Sequence, residues 1–186
     1  MRRRSLVSLA LCIAALAASG QVHRHDPLTS PETDALREVS MEPDQKLPLY
    51  LKYARARLAA IEQLHSDPHV AEGRGRKVHD LLADFQVIMD EMDRNVDSFA
   101  DQKLDFRKAL KAIIQADGEF QAKLQTLKEA AKDPATAAEA KEYEFALLDA
   151  VDAVDGDLDN ARDLLPQQEK AAAEAKAKAK EKGKGK

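Results

Sequence analysis

The sequence predicts an all-α protein, an up-down four-helix bundle with a disordered basic C-terminal tail. The main observation is a heptad pattern that keeps one phase from Val78 to Ala131. Apolar residues at this spacing line one side of a helix, and that side must be buried against other helices. The composition agrees, because 186 residues with 44% hydrophobic side chains and only seven Gly and seven Pro suit one helical domain with its own core.

Residues 1–20 have the features of an export signal. Arginines precede an apolar run, and small residues follow it, which is the order found in secretory signal peptides. The run is shorter than the ~20 apolar residues that span a membrane. We expect cleavage before Gln21. The single cysteine, Cys12, lies within the signal, so we expect no disulfide and no thiol chemistry in the mature chain.

Residues 21–46 form a leader that is expected to be partly disordered. Three prolines and little periodicity set this segment apart from the rest of the chain. Within it, Ser30 is suited to cap a short helix that has Pro31 in its first turn and extends through Val39.

The helical bundle is predicted over residues 47–168. Its first helix should run from Leu47 to His65, where apolar residues recur at helical spacing. The sequence Ser66-Asp67-Pro68 then stops this helix. Two glycines leave the start of the second helix open between His69 and Arg76.

Whether the heptad segment is one helix or two decides the architecture. A single helix would be about 80 Å long. However, Lys103 interrupts the apolar seam, and Asp97 and Asp101 are plausible cap residues. A seam with four phenylalanines also needs more cover than one partner helix provides. We therefore predict a hairpin near residues 97–103; the alternative is a long central antiparallel coiled-coil helix, completed by dimerisation.

The last helix is predicted to follow the Asp-Pro pair at residues 133–134, with Thr136 and Glu139 as a capping box. It should end before Pro166, which cannot donate a backbone hydrogen bond. Residues 169–186 then form a Lys/Ala-rich tail. Because this tail has no large apolar side chain with which to dock, we expect it to be disordered or only nascently helical.

The net charge of −4 hides an uneven distribution. Residues 21–169 carry 31 acidic and 19 basic side chains, whereas residues 170–186 carry seven lysines and two glutamates. An acidic body argues against specific nucleic-acid binding, for which the folded face should be basic. The basic tail is suited to anionic envelope polymers or to a membrane surface, which would attract it by charge.

The side chains best suited to bind a metal ion lie around the first interhelix turn. Glu62 and His65 form an E-x-x-H motif on one helix face, and His69 and His79 follow. Imidazole and carboxylate ligands suit Zn²⁺, Ni²⁺ or Cu²⁺. A di-iron bundle would need a second such motif and two more glutamates. The simpler interpretation of His65 is a histidine that the dipole favours at a helix C-terminus. We name these four residues the Glu62/His65 cluster.

Acidic side chains also occur at a seam position, where an apolar residue is usual, and along a helix face, where charges of both signs are usual. Asp117 occupies a seam position, where it could be a ligand, an acid of perturbed pKa, an arginine partner or a kink. A calcium loop near Asp155 is excluded, because Pro166 stands where the bidentate glutamate belongs. The last helix carries a stripe of aspartates opposite its apolar side, which is a solvated face or a docking surface for cations, a basic partner or the chain's own tail: Asp149, Asp152, Asp155, Asp159 and Asp163.

The sequence contains no nucleophile–base pair with suggestive spacing, no phosphate-binding glycine loop and no haem-attachment motif, so we expect no enzyme and no cofactor. The predicted function is that of an exported, periplasmic or extracellular, helical protein of the bacterial cell envelope that acts by self-association or by binding another protein. The alternatives are a periplasmic metal-binding protein that uses the Glu62/His65 cluster and an anchor to anionic polymers through the tail.

Overall fold

All the regular secondary structure in residues 26–70 and 72–184, which the computed structural model describes, is α-helical. Five helices follow one another: α1 Ser30–Glu38, α2 Pro43–Ser66, α3 Arg74–Asp101, α4 Arg107–Ala130 and α5 Ala137–Lys184. They pack against each other around one apolar core, so the all-α prediction is confirmed. The signal predicted for residues 1–20 lies outside the described residues. None of the helices in the described ranges is long and apolar enough to cross a membrane.

Helix α1 begins with a capping box and is held against α2 by an ion pair. The hydroxyl of Thr29 accepts a hydrogen bond from the N–H of Glu32, whose carboxylate accepts one from the N–H of Thr29 at 2.8 Å. Arg57 of α2 binds that carboxylate at 2.7 Å and holds the pKa of Glu32 at about 2. The cap is therefore Thr29 rather than Ser30, because Thr29 is the residue three positions before a glutamate. The short helix predicted within the leader is thus confirmed, over Ser30–Glu38.

Helix α2 begins at Pro43, four residues before the predicted start. Pro43 occupies the first helical position, where a missing N–H costs nothing. Pro48 lies inside the helix and removes one backbone hydrogen bond near its beginning. The burial of Leu47, Tyr50 and Leu51 around Pro48 outweighs this loss.

Each of the four long helices packs on two of the others. Helix α2 contacts α3 and α4, and α5 contacts the same two helices from the other side. Helices α2 and α3 run in opposite directions, since their hydrogen bonds join Lys46 to Asn95 and Tyr50 to Glu91. Helices α3 and α4 meet across the core, where the rings of Phe85 and Phe120 lie edge to face with centroids 5.4 Å apart.

The heptad segment is divided between α3 and α4, so the predicted break near residues 97–103 is confirmed. The two helices lie diagonally across the core, however, and not side by side as in the predicted hairpin. Lys103 adopts a left-handed φ of 57° just after α3. The N–H of Leu104 donates to the carbonyl of Phe99 at 3.1 Å, and the N–H of Lys103 donates to that of Ala100 at 2.9 Å. These two bonds form a Schellman motif, which ends a helix and reverses the chain. The polar residue that interrupts the seam is thus the residue at which the helix stops.

Helix α5 continues through Pro166 to Lys184, so the predicted helix end before Pro166 is wrong. The side chain of Gln168 explains how the helix passes the proline. It accepts a hydrogen bond from the N–H of Phe106 at 3.0 Å and donates one to the carbonyl of Leu104 at 3.0 Å. These bonds attach α5 to the turn between α3 and α4. The alanines, lysines and glutamates that follow are strong helix formers.

The capping box predicted at the start of α5 is also wrong. The carboxylate of Glu139 binds the guanidinium of Arg74 at 2.7 and 2.8 Å, because a bidentate charged pair is stronger than a bond to a backbone amide. The hydroxyl of Thr136 donates to the carbonyls of Ala130 and Asp133, at 3.1 and 3.2 Å.

The close approach of α3 and α5 at Gly75 yields a stability prediction. A Cβ atom on Gly75 would lie 2.8 Å from the backbone oxygen of Glu139. We expect Gly75→Ala to lower the free energy of unfolding by about 1–3 kcal/mol, because two helix backbones must move apart. Urea denaturation measures the change.

Gly118→Ala is the matched control. Gly118 lies within α4, and a Cβ there has no atom within 4 Å. This substitution should raise the free energy of unfolding by about 0.5–1 kcal/mol through helix propensity alone. Equal effects of the two substitutions would contradict the close packing at Gly75.

Candidate functional site

Two aspartates lie inside the bundle with buried oxygen atoms that have no hydrogen-bond partner among the described residues. Asp117 of α4 is 0% exposed and Asp157 of α5 is 6% exposed. Within the described chain, both carboxylate oxygens of Asp117 and the Oδ2 atom of Asp157 are buried and unpaired. Burying an unpaired carboxylate is costly, and such groups take up a proton instead of remaining charged. We refer to these two residues as the Asp117–Asp157 pair.

The pKa values of the pair are raised by its surroundings. Burial raises the pKa of Asp117 to about 7, against an opposing influence from Arg162. Burial, together with the negative charges of Asp93, Asp117 and Asp90, raises the pKa of Asp157 to about 9. At neutral pH Asp157 is therefore protonated and Asp117 is partly ionised. The arrangement can hold a proton that exposed aspartates would have released.

The heptad pattern places Asp117 in the core, as the sequence indicated. Asp157 was not singled out, although a signal for its burial was present. It lies three residues after Val154 and four before Ala161, on the apolar side of α5 and away from the aspartate stripe. Asp155 and Asp159, on either side of it, resemble a calcium-loop pattern, and that pattern hid the position of Asp157 on the apolar side of the helix.

The acidic residues of α3 beside this pair are held by Asn160. Its amide donates to the carboxylate of Asp93 at 2.6 Å and to that of Asp97 at 3.3 Å.

In the part of the chain that the structure describes, no group of three or more His, Cys, Asp or Glu side chains is arranged to hold a metal ion.

The structure brings together only two members of the Glu62/His65 cluster. Glu62 pairs with Lys123 of α4, and the half-buried His65 has an unpaired, buried Nε2 atom within the described residues. Burial is the main cause of the lowered pKa of His65. Both residues line a mainly apolar groove of about 550 Å³ between α2 and α4. His69 lies exposed in the following loop, and His79 is exposed on α3 with a contact of 3.1 Å to Asp80.

Metal binding by the Glu62/His65 cluster stays a prediction, which calorimetric titration with Zn²⁺, Ni²⁺ and Cu²⁺ can test. If the hypothesis holds, heat should be released at micromolar metal and be lost in His65→Ala, since imidazole is the strongest ligand of the cluster. Lys52→Ala, an exposed change on the same helix, is the control. Titrations without heat at any metal concentration would end the hypothesis.

The outward side of α5 combines acidic and apolar side chains. Phe145 is 77% exposed and Leu148 is 42% exposed, on the side opposite the buried Leu147 and Val154. Four aspartates of the predicted stripe are exposed on the same side: Asp149, Asp152, Asp159 and Asp163. The fifth, Asp155, accepts a hydrogen bond from Gln121 of α4 at 2.5 Å. We call Phe145, Leu148 and the four exposed aspartates the α5 outer face.

The Asp117–Asp157 pair predicts an unusual dependence of stability on pH. Both pKa values lie above the ordinary value of 3.8, so the folded chain binds protons more tightly than the unfolded chain. The free energy of unfolding should therefore fall as pH rises above 3.8, up to about 7 for Asp117 and up to about 9 for Asp157, and these groups cause no further fall beyond those values. Asp157→Asn should reduce this fall, so that its stability relative to the parent increases from pH 3.8 to about pH 9.

Urea denaturation at a series of pH values measures this effect. Each buried group contributes at most about 1.4 kcal/mol per pH unit. Asp152→Asn, an exposed change on the same helix, should leave the pH profile unchanged. Parallel profiles for the parent and Asp157→Asn would contradict the proton-holding interpretation of the pair.

Comparisons with known proteins give no further guide to the site. No protein-family model, no curated protein and no solved structure matches the chain. A function therefore has to be argued from the residues and their geometry, since a helical fold by itself is compatible with many functions.

Proposed function

We propose that this chain is an exported, non-enzymatic helical protein of the bacterial cell envelope that acts through protein–protein association. The observation that carries the proposal is the exposure of Phe145, 77%, and Leu148, 42%, on the α5 outer face. A phenylalanine exposed to this degree is unusual when most other large apolar side chains of the described chain are buried. Apolar side chains rimmed by polar ones are typical of protein-binding surfaces.

The core supports association through a surface rather than chemistry in a cavity. Large side chains from α2 to α5 fill the space between the helices, with Tyr50, Phe85, Phe120 and Tyr143 at most 1% exposed. Part of this proposal is that α2 to α5 form one four-helix bundle. It is supported by the contacts of α2 and of α5 with both α3 and α4, which put α3 and α4 at opposite corners instead of side by side as in the predicted up-down bundle. Such a bundle is a rigid support for the α5 outer face.

Export is the second part of the proposal and is supported by the sequence of residues 1–20 alone. Its basic start, apolar run and small-residue end predict a mature protein that begins at Gln21. The periplasm or the extracellular space would then be its location. Anchoring to anionic polymers through the lysine tail remains an alternative use of the protein, supported by the exposure of Lys176, Lys178 and Lys180.

Photocrosslinking in producing cells tests the function. A photoreactive amino acid at position 145 should give a covalent adduct of defined mass, because a partner covers this position. The same residue at position 52, which is exposed on α2, should give none. Mass spectrometry of the envelope fraction should also find a chain that begins at Gln21.

Two results would contradict the proposal. If no adduct forms at position 145, or if positions 145 and 52 give equal adducts, the α5 outer face is not a binding surface. If the chain is found in the cytoplasmic fraction with an intact N-terminus, the export part of the proposal is wrong. The two parts of the proposal can thus fail separately.

A further inference from the structure

We propose that the partner of the α5 outer face is a second copy of this chain, whose lysine-rich helical end, residues 169–184, lies antiparallel along that face. This inference rests on the proposed function and names its partner. It starts from the course of α5, which carries the acidic face and the lysine-rich end on one continuous helix of 48 residues.

The continuity of α5 prevents the tail from reaching the acidic face of its own chain. Sixteen helical residues beyond Gln168 extend about 24 Å along the helix axis, away from Asp149 and Asp152. Gln168 itself is attached to Leu104 and Phe106, so the helix is fixed where the tail begins. The sequence left open an interaction of the stripe with the chain's own tail. In a straight helix this contact can form only between two molecules.

Charge complementarity identifies the occupant. Between Glu142 and Ala161 the chain has no basic residue, whereas residues 170–186 have seven lysines and two glutamates. The side chains from Ala173 to Lys180 are exposed, so the lysines are free to meet a partner surface. Opposite charges that meet across an interface steer association and select the partner. Here both members of the complementary set belong to the same chain.

The small side chains of the tail allow a close approach to the α5 outer face. Alanine occupies most positions between its lysines, including Ala175, Ala177 and Ala179. Helices with small side chains approach a partner closely, so the lysine stems of the tail can extend from it to the aspartates of the face.

In an antiparallel pair of α5 helices, the acidic face of each chain contacts the lysine-rich end of the other. If the tail of one copy lies on the acidic face of the other, the reverse contact forms by symmetry, as in an isologous dimer. The two-fold axis then crosses α5 near Pro166, midway between the aspartates and the lysines. Pro166 and Gln167 are exposed, so this position is open to a second helix.

Charge reversal tests the arrangement. One variant of the purified chain replaces three acids of the face, Asp149→Lys, Asp152→Lys and Asp159→Lys; the other replaces three tail lysines, Lys176→Glu, Lys178→Glu and Lys180→Glu. Light scattering over a concentration series should give a dimer for the parent. Each variant alone should dimerise at least about tenfold more weakly, and raised salt should weaken the parent dimer. An equimolar mixture of the two variants should recover the dimer mass, because each supplies the charges that the other now needs.

The control reverses three exposed acids away from the face, with Glu38→Lys, Asp80→Lys and Asp101→Lys. It changes the net charge as much as the face variant and should leave the dimer intact. Circular dichroism checks that every variant remains helical. A parent that is monomeric at all concentrations overturns the inference. So does a dimer that ignores both charge reversals, or a mixture that stays monomeric.

These outcomes are distinguishable from a failure of the proposed function. A monomeric parent that still gives an adduct with another protein at position 145 keeps the α5 outer face as a binding surface and rejects only the second copy as its partner. A monomeric parent without any adduct at position 145 rejects both.

Discussion

The reversal of the chain between α3 and α4 is the constraint on which the rest of the structure depends. Its Schellman motif, closed by the bonds of Lys103 and Leu104, turns one continuous heptad seam into two facing surfaces. Phe85 then meets Phe120 across the core. The same turn presents the backbone of Leu104 and Phe106 to Gln168, so it also directs the course of α5. Without the reversal, the seam would need a second molecule to cover it.

The buried carboxyl pair is a cost that the helix packing imposes. Asp117 and Asp157 each follow the spacing of their apolar neighbours and enter the core from α4 and α5. A buried carboxylate without a partner is unfavourable, and protonation avoids the charge without removing the polar atoms. A core that needed only stability would be better filled by apolar side chains of similar size. The pair is therefore the feature of the interior that packing alone does not explain.

Helix α5 has two different surfaces over its length. Its inner side fills the core through residues such as Tyr143, Ala150 and Val154, and its outer side exposes Phe145 among aspartates. Beyond Gln168 it carries the opposite charge. A helix is a stiff rod. The contacts that the first half of α5 makes in the core therefore also determine where its two charged segments lie relative to the bundle. A flexible tail of the same composition would not have this property.

The sequence by itself determined the helices and the core residues, because the period of apolar side chains is a local property. It also predicted the break of the heptad segment near Lys103 and assigned Asp117 to the apolar seam, since both residues interrupt a regular pattern. The structure alone decided where α5 ends, which partner Glu139 takes, and that Asp157 faces the core. Those outcomes depend on groups distant along the chain: Gln168 meets the α3–α4 turn and Arg74 meets Glu139 only after the helices have packed. Local sequence signals indicated a helix end at Pro166 and a capping box at Glu139. They could not predict the contacts that replace these features, because the energies of those contacts arise only in the assembled fold.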